Sequence, residues 1–168
     1  MNRLTKLFVV TFLFAVILLG FIVGVYVIPY ELQKQQARRN LQAITAMELP
    51  DLDHFQTIRI VSSDFSHSSN NVTCYYARDN IILGTLLSEV DALNTYVRSL
   101  QELGWEPGWG DPLPKSLALD EHTLLEVSVG QPPPIIRHAI DYEELRKTYQ
   151  TFVFVKVDYM LPNRGSCY

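Results

Sequence analysis

Two cysteines are all the sequence has, Cys74 and Cys167, and no second cysteine lies at Cys-x-x-Cys spacing from either. That absence removes the thiol-redox motif and the paired-cysteine zinc frame. There is no His-Glu-x-x-His, no Gly-x-Ser-x-Gly and no glycine-rich phosphate loop, so three common catalytic signatures are missing as well. Positive charge is scarce where a nucleic-acid binder needs it. From Asp51 onward there are 16 acidic and 9 basic residues, a balance of -7. Phosphate neutralisation supplies most nucleic-acid affinity, so nucleic acid is excluded as a partner. The longest absence is of charge itself: none occurs between Lys6 and Glu31.

That gap is filled with oil-like side chains. Of the 22 residues from Leu7 to Ile28, 17 are Leu, Ile, Val or Phe. As a helix the run is about 33 Å long, against a hydrocarbon core of about 30 Å. At about -0.3 to -0.6 kcal/mol per central residue, insertion is favourable by several kcal/mol. Membrane lipid is therefore the first expected partner. A cleaved signal peptide has a shorter apolar stretch followed by a small-residue site. Here no such site follows, and no cysteine stands near its end to carry lipid. An uncleaved signal-anchor is expected, giving a single-pass protein.

Orientation is read from the flanks. Arg3 and Lys6 on one side face Lys34, Arg38 and Arg39 on the other, so the positive-inside rule decides little. The short, basic amino-terminal tail and a plausible cysteine pair favour a cytoplasmic N-terminus and an extracytoplasmic domain. The segments expected are a tail over 1–6, a transmembrane helix over 7–28, a helical stalk over 29–50 and an α+β domain over 51–168.

Within the apolar run, Gly20 and Gly24 form a G-x-x-x-G pair that can let two helices approach closely. In the stalk, Leu32, Ala37, Leu41, Ile44 and Met47 recur at helical spacing. That stripe suits the membrane surface, the domain or a partner helix. Through the anchor or stalk, a protein partner or a second copy of the chain is expected. The three stalk bases could meet anionic lipid, a weak signal at that number.

The domain opens with a strand over 56–61 and a polar loop over 64–71. A hairpin follows, Val72–Ala77 and Ile81–Gly84, turning at Arg78-Asp79-Asn80. Ser88 and Asp91 form a capping-box-like start. Val90, Leu93, Val97, Leu100 and Leu103 draw one apolar face, and Gly104 and Trp105 close the helix in a Schellman-type end. Thr123–Val129 and Thr151–Met160 alternate as strands, the latter paired on both sides, and a brief helix is expected over 141–149. The fold class is α+β: an N-terminal transmembrane helix, then a small antiparallel sheet with one principal amphipathic helix packed across it.

Candidate functional residues are few. An even cysteine count and an external domain favour a Cys74–Cys167 disulfide over two unrelated thiols. Closing a loop of about 94 residues contributes about 4 to 5 kcal/mol on the chain-entropy estimate, an upper figure. Trp105 and Trp109, held by Gly104, Pro107 and Gly108, either pack the core or present an aromatic partner surface. Core packing is the expected alternative. Asn71-Val72-Thr73 is a glycosylation sequon where the compartment allows it. The histidines His54, His67, His122 and His138 are scattered. Asp51, Asp53 and His54 suit a solvated leading loop better than a metal site. Pro132 to Pro134 reads as a stiff loop rather than a docking peptide. No metal, cofactor or catalytic residue is assigned. The expected function is an extracytoplasmic interaction or assembly domain, an accessory subunit of a membrane complex. The alternative is a membrane-anchored hydrolase whose site is assembled only by folding.

Overall fold

The computed structural model describes residues 3–69, 72–108, 115–130 and 140–161. Helix α1, Arg3–Ile22, continues without a break through a π-helical turn, Val23–Val27, into α2, Ile28–Met47. Pro29 accounts for the irregular turn. Its ring clashes with the carbonyl four residues back and it has no N–H to donate, so the preceding turn widens. The Ile28 N–H accordingly reaches five residues back, to the carbonyl of Val23. The stretch includes a helix long and apolar enough to span a membrane. Its residues from 11 to 25 are exposed throughout.

The domain is built on a six-stranded antiparallel sheet of order β1-β2-β6-β5-β4-β3. The strands are β1 Gln56–Ser69, β2 Val72–Thr85, β3 Glu106–Pro107, β4 Lys115–Asp120, β5 Thr123–Val129 and β6 Thr151–Leu161. Helix α3, Glu89–Glu102, links β2 to β3, and a single turn, α4 Tyr142–Leu145, precedes β6. The last strand lies between β2 and β5. The architecture is α+β.

The expected hairpin turn at Arg78-Asp79-Asn80 is not there. Those residues lie inside β2, paired to Ser63, Ser62 and Val61 of β1 and to Asp158, Val157 and Lys156 of β6. Turn-forming residue types are overridden by side-chain partners. Arg78 donates to Asp158 at 2.5 and 2.8 Å, and Asp79 accepts from Arg38 and Ser62, each at 2.6 Å. The polar loop expected over 64–71 is likewise mostly strand, since β1 runs to Ser69. Strand β4 carried no distinct sequence signal.

One face of the sheet holds the main core. Ala77, Ile81 and Leu83 of β2, Leu125 and Val127 of β5, and Val153, Val155 and Val157 of β6 cluster there. Ala92, Tyr96 and Leu100 of α3 belong to this cluster, and so do Ala37 and Leu41 of α2. Of the stalk stripe, Ala37, Leu41 and Ile44 pack on the domain, while Leu32 and Met47 are exposed. In α3 the buried line is Ala92, Tyr96, Leu100, which shares Leu100 with the expected face and adds Ala92 and Tyr96 beside it. Leu93 and Val97 flank it, while Val90 is 68% exposed. Tyr96 takes the central place, and burial pushes its hydroxyl pKa well above the ordinary tyrosine value. The helix ends behave as read. The Ser88 hydroxyl accepts from the Asp91 N–H at 3.2 Å. Gly104 has a φ of +96°, and the Trp105 N–H donates to the Leu100 carbonyl at 3.1 Å.

The opposite face has a second apolar cluster at one end. Ile82, Phe152 and Phe154 form a second cluster beneath Ile140, Tyr142, Leu145 and Tyr149. Gly84 makes this possible, because a Cβ there would fall 2.5 Å from the Tyr149 ring. Toward the other end the face carries ion pairs, Arg78 with Asp158 and Lys156 with Glu126. The Asp158 hydrogen bond raises the Arg78 pKa against the opposing effect of burial.

Candidate interaction surface

Among the described residues, the joint between helix and sheet gathers a dense set of polar contacts. Arg38 projects from α2 toward β1 and β2. Its Nε donates to Asp64 at 2.9 Å and its Nη1 to Asp79 at 2.6 Å. Its Nη2 donates to the Ser63 carbonyl at 2.6 Å. Asp79 is nearly fully buried; an unpaired carboxylate there would be costly, so Arg38 is its required partner. Asn40 donates to the Tyr159 hydroxyl at 2.8 Å. Tyr30 meets Tyr75 edge-on, with centroids 5.2 Å apart. At the far end of α2 the indole N–H of Trp105 donates to the Glu48 carbonyl at 2.7 Å. Contacts along the whole of α2 therefore fix its place over β2 and β6.

The Arg38 result changes the reading of the stalk bases. Arg38 is committed to carboxylates, and it sits about 15 Å along the helix from Ile28. A cavity of about 300 Å³ beside it is lined by Glu31, Lys34, Gln35, Arg38, Arg39 and Asp64. Lys34 and Arg39 remain as its other cations, against Glu31. An anionic-lipid site needs a denser cluster near the bilayer surface.

Of the candidate residues, Trp105 is buried, in the core-packing role, and Trp109 lies outside the described residues. Gly20 and Gly24 sit on the exposed helix, and a Cβ at either would meet nothing within 4 Å. Cys74 is buried in β2, on the face away from α2, and among the described residues no cysteine is a free thiol. Cys167, Asn71, His138 and Pro132 to Pro134 lie outside the described residues.

His54 and Asp53 are exposed and border a second cavity of about 300 Å³, walled by Phe55, Leu86, Leu87 and Tyr149. Among the described residues Asp53 is the one carboxylate lining it, so these residues bring no carboxylate pair of the kind glycoside hydrolysis uses. His122 lies at the β4–β5 turn, its Nε2 3.3 Å from Glu121. Among the described residues no three His, Cys, Asp or Glu side chains come together as a metal site. Comparison with protein-family models, curated proteins and solved structures gives no match to this chain.

The feature that sequence reading missed is the edge of the sheet. Strand β1 is outermost and spans 14 residues. Ile60 on one face and Phe65 on the other are 49% and 39% exposed. The apolar residues Ile58, Ile60, Val61 and Phe65 are the available signal, but the loop-like composition of residues 64–71 hides the length of the strand.

Proposed function

We propose that this chain is a membrane-anchored interaction domain that works on the extracytoplasmic side, as an accessory subunit of a membrane complex. The observation that carries the reading is the unbroken helix from Arg3 to Met47. Its residues 11 to 25 are exposed and, Thr11 aside, apolar, and Ala37 and Leu41 of its second part are seated in the core of the sheet domain. No flexible linker separates the two, so the height and facing of the sheet follow from those of the anchor. Such coupling suits a part that meets a neighbour at a fixed distance from a bilayer. It offers less to an enzyme acting on a diffusing substrate.

Within the domain, α3 is the principal amphipathic helix across the sheet, supported by the burial of Ala92, Tyr96 and Leu100 with β5 and β6. The Cys74–Cys167 disulfide belongs to the same proposal, since an oxidising compartment sustains it. Gly20 and Gly24 supply a face for a partner helix or a second copy.

Purification of the full chain from its own membranes in mild detergent tests the function. A companion protein at fixed stoichiometry is the expected result. A chain that always runs alone argues against an assembly role. Labelling of cysteines on intact cells, with and without reductant, tests side and disulfide together: label is expected only from outside and only after reduction.

A further inference from the structure

Among the described residues β1 is the outermost strand, and it carries few of the protections usual at a free sheet edge: its charged residues are Arg59 and Asp64, the latter paired with Arg38. Edges left to solvent are usually short, or marked by lysine, proline or bulges, because unpaired N–H and C=O groups template further strands. β1 has 14 residues with neither lysine nor proline. Its one register shift lies at the far end, between Thr57 and Arg59. Its apolar side chains at Ile60 and Phe65 are left half in water, one on each face. Helix α2 contacts β2 and β6, which leaves the helix-side face of β1 at the margin of cover. There the cavity beside Asp64 opens, bearing Lys34 and Arg39 against the single carboxylate of Glu31 besides the Arg38-paired Asp64.

The direction of β1 restricts what can pair with it. Tyr30 of α2 meets Tyr75, and Arg38 meets Asp79. Eight residues of helix thus advance about as far, ~12 Å, as four residues of strand, ~13 Å. The helix and β2 run side by side, so β1 descends toward α1. Two copies in one membrane share a two-fold axis along its normal, and their β1 strands run the same way. Antiparallel self-pairing would lift one anchor out of the membrane. Parallel self-pairing about that axis sets identical residues level, whereas each residue must bond to partners one step above and below. A second copy does not fit.

We propose that the outer edge of β1 takes an extended segment of a partner protein as a seventh strand. Apolar side chains of that segment lie beside Ile60 and Phe65, and an acidic one faces Lys34 and Arg39. Main-chain hydrogen bonds supply affinity, and the alternating side chains supply specificity. The geometry rests on the anchor reading proposed above.

Backbone hydrogen exchange of the full chain tests it, measured in native membranes and after purification in detergent. Amides of residues 59–66 are expected to exchange about tenfold or more slowly in the membranes. The double variant Ile60→Lys with Phe65→Lys is expected to lose that difference, and so is Lys34→Glu with Arg39→Glu. Leu124→Lys, at an apolar position 46% exposed on β5, is expected to keep it. Equal exchange in both settings, with the chain still in the membrane fraction, overturns the seventh strand and leaves the anchor standing. Protection in the purified chain that grows with its concentration assigns the edge to a second copy and overturns the proposal. A wild-type chain found outside the membrane fraction removes the anchor, and the argument about strand direction with it.

Discussion

The two halves of the long helix have the same backbone and opposite surroundings. From residue 11 to 25 every side chain is exposed. In α2, Ala37 and Leu41 are sealed against the sheet and Arg38 is ion-paired. In the first half the apolar residues go all round, which suits a uniform apolar medium. In the second they form one stripe, which suits a single packed face. One helix is thereby suited to two solvents, and substitutions in its halves have separable consequences.

The largest effect is expected from charge in the first half. Leu13→Arg with Ile17→Arg costs about 3 kcal/mol per arginine at the helix centre. The chain should shift to the soluble fraction while the domain's melting temperature holds. Arg38→Ala reverses the pattern. It leaves the buried Asp79 without its cation and should destabilise the domain by about 3 to 5 kcal/mol, read by urea unfolding in detergent, with membrane partition unchanged. Leu41→Ala should cost the domain about 2 to 5 kcal/mol by opening a cavity under the helix. Trp105→Phe keeps most of the packing but orphans the Glu48 carbonyl, for about 1 to 2 kcal/mol.

The smallest effect appears only in alkali. The folded-state pKa of Tyr96 is raised by burial, so the protonated hydroxyl favours the fold. That contribution is complete below the unfolded pKa of about 10 and is lost as pH climbs above it. Tyr96→Phe should flatten the fall of stability above about pH 10 and change little at neutral pH.

The parts legible in the sequence are those governed by local chemistry. The apolar run, the Ser88 cap, the Gly104 end and the alternation of Thr151 to Met160 each depend on neighbours in the chain. The failures share a cause as well. Arg78-Asp79-Asn80 has turn composition, but its place is set by Arg38 and Asp158, 41 and 80 residues from their partners Asp79 and Arg78. Tyr96 reads as half-polar, yet the face it occupies is chosen by the sheet. The β1 edge was hidden because Ser66 to Ser69 have loop composition, and only pairing with Val72 to Tyr75 shows them to be strand. Of the candidate site residues, Trp105 is buried where the local geometry of the helix end places it. The role of Arg38 is not legible locally, because its partners Asp64 and Asp79 are distant in sequence.

Spin labels placed one at a time from residue 11 to 47, in the full chain in vesicles, test the central claim most directly. Collision with dissolved oxygen should be uniformly high from 11 to 25, and collision with a water-soluble paramagnet low. Beyond residue 30 the second signal should rise and oscillate with helical period, with minima at 37 and 41. Strong aqueous collision throughout 11–25, or a flat profile across 30–47, would contradict a single helix divided between lipid and protein.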